Sequence, residues 1–245
     1  RIIRPDCVIS KGKIVAEKGK LLISPRKHNF SEESRNSVIL PRKLKASDFE
    51  IKCEDKAAGT EVRVIEQITE LVTKEARVVL PVAGAKINSD TNLDIIKVAA
   101  VDRRNNTGKI FTGLLRGFQM KSGAIASSAA WDTSDIIVAG ADDSDMAFAV
   151  NRIKEIQGGC VVCDKGKILA ELPLPIFGII SDIPADVLAG QMKEINSAAS
   201  SLGIPFTDPM LTLVTLTGAS IPYLRICEEG LVNLKDGKPV GLFVK

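Results

Sequence analysis

The chain has 245 residues, 45% apolar and 26% charged, an ordinary balance for a soluble globular protein of one large or two small domains. A net charge of +3 and 4% aromatics supply neither the basic footprint nor the stacking residues of a nucleic-acid binder. No apolar run approaches the roughly 20 residues that span a bilayer and no secretory leader is visible, so neither a nucleic-acid nor a membrane partner is expected.

Residues 7–22 read as two strands, with turn chemistry at Lys11-Gly12 and Lys18-Gly19. The opening around Arg4-Pro5-Asp6 already reads as an extended strand, and the first residue is Arg1; the expectation is a piece of something longer. From 25 to 47 the apolar pattern fails in a polar, charged stretch broken by Pro25, which is the expected linker between a segment 1–24 and a domain 48–245. The single histidine, His28, falls inside it.

Residues 61–68 alternate as a half-buried strand, and 77–82 and 95–102 are short β-branched runs that suit buried strands. Asn105-Asn106-Thr107-Gly108 is a turn that returns the chain as a partner strand over 109–118, and 123–127 and 136–139 continue the sheet. Asp142 or Ser144 then caps a helix whose stripe is Met146, Ala149, Val150, Ile153 and Ile156, ended by Gly158-Gly159. A hairpin over 160–172 turns at Lys165-Gly166, and 172–181 is a proline-broken loop or edge. Pro184 opens a second helix to about 202, with an expected core stripe of Val187, Leu188, Met192, Ile195, Ala199 and Leu202. The tail alternates again over 210–217 and 221–226 and ends in a strand over 240–244. The fold class is therefore α+β: mixed, mostly antiparallel sheet layers with two main helices, preceded by a short β-hairpin segment.

No stretch supplies a complete catalytic set. One histidine cannot form an H-x-H or H-E-x-x-H pair, so no imidazole metal centre is built within this chain. The five cysteines are scattered and odd in number, which suits a reducing cytoplasm. Cys160-Val161-Val162-Cys163 has the count of a CxxC, but on a strand residues three apart face opposite sides, and core packing is the reading. The carboxylates at Asp142, Asp143 and Asp145 are explained by helix capping. The strongest candidate is the polar knot Trp131-Asp132-Thr133-Ser134-Asp135 between two apolar runs. Either it is a surface turn that satisfies its own backbone, or Ser127, Ser128 and Asp132 are brought together on a ligand or an adjoining domain.

The stretch GFQMKSGAIASSAAWDTSDIIVAGADDSDMAFAVNRIKEIQGG, followed by VVCDKGKILAELPLPIFGIISD, resembles the C-terminal region of adenine deaminases of the amidohydrolase superfamily. VAAVDRRNNTGKIFTGLLRGF before it and PMLTLVTLTGASIPYLRICEEGLVNL after it extend the resemblance, and residues 1–24 look like the end of the small β-domain that flanks the metal-binding barrel. The resemblance implies a cytoplasmic, homo-oligomeric hydrolase of adenine to hypoxanthine and ammonia. It also implies manganese or another divalent metal, held by a barrel upstream of Arg1 and not by this chain, which alone is expected to be inactive. The partners it implies are that barrel and adenine or a related purine. Where the family usually reads Ala-His-Asp-Ser-His-Asn, this chain has Ala130-Trp131-Asp132-Thr133-Ser134-Asp135. Both histidines are replaced and the aspartate stays. Asp132 and Ser134 are then supporting residues, Ser127, Ser128 and Trp131 the purine contacts, and Trp131 a face for stacking. The other reading is a non-catalytic purine-binding or assembly domain whose site has degenerated.

Overall fold

The computed structural model describes residues 5–24, 27–53 and 59–244; the expected opening at 1–4 and the Pro25 break lie outside them. The chain divides into two units, Arg1–Ser31 and Glu32–Lys245. In the first, β1 (Cys7–Ser10), β2 (Lys13–Glu17) and β3 (Lys20–Leu21) form an antiparallel meander. Lys11, Gly12, Lys18 and Gly19 all take positive φ, from 48° to 77°, as tight two-residue turns with primed geometry require. The second of these turns divides what the sequence pattern suggests is one strand.

The second unit begins with the one-turn helix α1 (Glu32–Arg35). Inside the stretch expected as a linker, Val38 and Leu44 are buried. Both pack into the core, and Asn151, 107 residues beyond Leu44, pins the stretch: its Nδ2 donates to the Leu44 carbonyl and its Oδ1 accepts from the Leu44 N–H, both at 2.9 Å. A short pair, β4 (Ile51–Lys52) with β7 (Lys86–Ile87), follows.

The centre is an eight-stranded sheet. Its members in chain order are β5 (Thr60–Gln67), β6 (Thr73–Leu80), β8 (Ile95–Asp102), β9 (Ile110–Arg116), β10 (Ala124–Ser127), β11 (Asp135–Gly140), β12 (Gly159–Asp164) and β13 (Lys167–Pro173). They lie side by side as β13-β12-β10-β11-β8-β9-β5-β6, and only β5 and β9 run parallel. The central strands are apolar on both faces because both faces are covered. Val98, Ala100, Ile137 and Ala139 enter one cluster, with Ile195, Ala199 and Leu213; Ala99, Val101, Ile136 and Val138 enter the other, with Val38, Phe49, Met146 and Val150.

On the second face lies α2 (Asp143–Glu155), capped by Asp142, whose carboxylate accepts from the N–H of Ser144 and Asp145 at 2.8 and 3.0 Å. On the first lie α3 (Ala185–Ser201) and α4 (Pro209–Val214), followed by β14 (Leu224–Cys227), β15 (Gly230–Asn233) and β16 (Lys238–Val240) as a small antiparallel sheet. The α+β class and the mostly antiparallel pairing agree with the sequence reading.

Two local expectations fail. Residues 210–217 are not a strand: Asp208 caps Leu211 N at 2.9 Å, Pro209 stands in the first helical turn, and the segment coils into α4 and a 3₁₀ turn. The α3 stripe is narrower than expected, since Ile195, Ala199 and Leu202 are buried while Val187 and Met192 are exposed. No helix among the described residues is long and apolar enough to cross a membrane.

Candidate functional site

The knot at 131–135 lies in the loop between β10 and β11. Two fully buried serines, Ser127 at the end of β10 and Ser128 after it, lead into that loop. Ser128 Oγ donates to the Gly178 carbonyl at 2.5 Å and accepts from the Gly159 N–H at 2.8 Å, while Ser127 Oγ accepts from the Ala129 N–H at 3.2 Å. Both hydroxyls therefore join backbone segments that would otherwise carry unpaired buried groups. Gly158 makes the closeness possible: a Cβ there would stand 2.3 Å from Gly178 Cα.

Beyond them the loop turns outward. Trp131 is 60% exposed, and Asp132 is exposed with its carboxylate accepting from the Ala219 N–H. Ala219 belongs to a loop that Arg225 braces from within by donating to the carbonyls of Ile221, Leu71 and Pro222, at 2.6 to 2.9 Å. The geometry thus joins Asp132 to the loop after α4, and leaves Trp131 with an open face. It does not bring the Ser127 and Ser128 hydroxyls to the surface beside Asp132.

Where the loop re-enters the sheet it leaves a charge inside. Asp135 is 2% exposed, and its Oδ2 has no hydrogen-bond partner among the described residues. Burial pushes its carboxyl up to about 6; the Thr133 hydroxyl opposes that rise and the Glu228 charge adds to it. Directly across the ladder is Asp102. Its oxygens accept from the N–H of Arg104, Asn105 and Thr107 and from Thr107 Oγ1. Burial raises this carboxyl too, but those donors outweigh burial and hold it at about 2.

Ser134 lines an open cavity of about 690 Å³, with Arg103 at its inner wall. Arg103 was absent from the sequence reading because Asp102-Arg103-Arg104 looks like an ordinary polar turn. The one local signal was its place immediately after an eight-residue buried strand.

The acidic group at 142–145 resolves into separate structural duties. Asp142 caps α2, Asp143 pairs with Lys97, and Asp145 accepts from the N–H groups of Lys165 and Gly166 at 2.9 and 2.8 Å. Cys160 and Cys163 lie on opposite faces of β12, one in each core cluster. Among the described residues no three His, Cys, Asp or Glu side chains gather as a metal would need. The donors among the described residues do not fit the divalent ion that the resemblance implies for a barrel.

Residues 70–238 match the family model for the adenine deaminase C-terminal domain. A protein of Clostridium botulinum named adenine deaminase is 36% identical over 239 residues, covering 97% of this chain and 40% of that protein. Another so named, from Brucella abortus, is 36% identical over 237 residues, 96% of this chain and 39% of its own length. The chain thus spans about two fifths of the length of the curated relatives it matches.

Proposed function

The chain belongs to the adenine deaminase family, and on that premise we propose that it is the C-terminal part of a hydrolase converting adenine and water to hypoxanthine and ammonia, working with an amidohydrolase barrel upstream. The observation that carries this reading is extent: nearly the whole chain aligns with relatives of which it spans two fifths. In this reading the catalytic ligands belong to the barrel. The present chain contributes a rigid sheet that holds the 131–135 loop, with Asp132 and Ser134 as supporting residues and the open face of Trp131 toward the purine.

The test is ammonia release from adenine by this chain alone and by the same chain joined to its upstream coding region. Release by the joined protein only is the expected result. No release from the joined protein at any manganese loading would sink the deaminase reading.

A second reading, a purine-binding or assembly domain without catalysis, is favoured by one observation: Trp131 and Ser134 stand where the family usually has histidines. Calorimetry with adenine separates the two possibilities within it. Binding that Trp131→Ala abolishes assigns a purine pocket, and unchanged barrel association without purine binding assigns assembly.

A further inference from the structure

Arg103 is an anomalous charge in the second unit. It is 6% exposed, and among the described residues no carboxylate lies within 4 Å of its guanidinium. Among the described residues its Nε has no hydrogen-bond partner, and neither has Ser37 Oγ on the same cavity wall. The guanidinium is pressed between covering segments: a Cβ built on Gly178 would stand 2.9 Å from Arg103 Nη1 and 3.2 Å from Val38 Cγ2. Burial lowers its affinity for the proton, and the Asp135 charge only partly offsets that. A desolvated cation without a close counter-charge is costly, and an arginine cannot relieve that cost by losing its proton. The open side of this cation is the cavity of about 690 Å³.

The rim of that cavity is apolar where its floor is cationic. Ile39, Phe177 and Ile179 are 41%, 50% and 45% exposed around it. Among the charged lining residues, Arg103 and Arg104 oppose Glu33 alone, which leaves one net positive charge. A pocket of a few hundred Å³ with an apolar rim and one convergent charge is the general form of a small-molecule site. Its single surplus charge suits a monoanion, and a guanidinium is matched in shape to a carboxylate.

We infer that this cavity binds a small organic carboxylate, its anionic end on Arg103 and its apolar body against Ile39, Phe177 and Ile179.

Calorimetry on the whole 245-residue chain with benzoate, acetate and phenyl phosphate provides the test. Saturable benzoate binding at least 10-fold tighter than acetate is expected, because acetate lacks the apolar body. Arg103→Met should weaken benzoate at least 10-fold. Phe177 is half exposed, so Phe177→Ala keeps the fold and should weaken benzoate several-fold while leaving acetate unchanged. Absence of saturable benzoate binding overturns the site. So does benzoate binding that Phe177→Ala and Arg103→Met both leave intact. Tighter phenyl phosphate than benzoate overturns the carboxylate assignment.

Discussion

Asp102 and Asp135 are direct partners across the β8–β11 ladder, yet one carboxyl is held at about 2 and the other is pushed to about 6. Both are 2% exposed to solvent, but desolvation weighs more heavily on Asp135, and the donors differ as well. Asp102 closes the Arg104–Thr107 turn and collects its N–H groups, whereas Asp135 starts a strand at the mouth of the knot with one oxygen unpartnered.

This difference predicts opposite pH behaviour. Asp135 binds its proton more tightly folded than unfolded, so its contribution is most favourable below about pH 4 and is lost as pH rises through 6. Asp135→Asn should therefore gain about 1–3 kcal/mol at pH 8 and almost nothing at pH 4. Asp102 runs the other way: its contribution is present above the ordinary aspartate range near 4 and is lost as pH falls toward 2. Asp102→Asn should cost about 1.5–3 kcal/mol at pH 7, the worth of hydrogen bonds to a charged acceptor. Urea unfolding checks the signs, at pH 4 and 8 for Asp135→Asn and at about pH 2 and 7 for Asp102→Asn, and an Asp135→Asn effect equal at its two values would refute the assignment.

Lys97 is 2% exposed, and its Nζ meets Asp143 Oδ2 at 2.6 Å at the first turn of α2. Breaking a buried pair from one side strands the other charge, which costs about 3–5 kcal/mol. Asp143→Asn is expected to fall in that range, and Lys97→Met with Asp143→Asn to cost clearly less than Asp143→Asn alone. A double-mutant cycle by urea unfolding measures it; additive losses would mean the pair is not coupled.

Ser128 makes a prediction about the loop floor. Ser128→Ala removes the acceptor for the Gly159 N–H and the donor to Gly178, both buried, and should cost about 1–3 kcal/mol. A loss below about 0.5 kcal/mol would mean that the hydroxyl is not needed to satisfy those groups.

Asp132 should act locally rather than globally. Its carboxylate is exposed, so Asp132→Ala is expected to change global stability by less than about 1 kcal/mol. It should nevertheless speed amide exchange at Ala219, the N–H that it accepts from, while exchange in β8 and β11 stays unchanged. Unaltered exchange at Ala219 would show that the contact does not hold the two loops together.

Much of the fold was legible in the residues. The strand over 95–102 was bounded to the residue, because a run buried on both faces is mostly apolar, here broken only by Lys97 before its closing Asp102. Asp142, one of the two expected caps, marks the start of α2 through capping chemistry that acts within one turn, whereas the left-handed residue at its end is Gln157 (φ 59°), one before the expected glycines. Residues 210–217 misled because alternating leucines and threonines satisfy a strand template as well as a short buried helix. Only the packing of Leu213 and Leu216 against the sheet decides between them.

The knot at 131–135 was visible as a polar interruption of two apolar runs, and that much the chain determined by itself. Which of its side chains face inward was decided by tertiary structure. Ser128 is claimed by Gly159 and Gly178, 31 and 50 residues away, and Asp132 by Ala219, 87 residues away. Arg103 is buried because the 37–39 and 177–179 segments close over it, not because of anything in its own neighbourhood. Periodicity and capping act over a few residues and can be read along the chain; burial and charge compensation depend on which distant element arrives to cover a group.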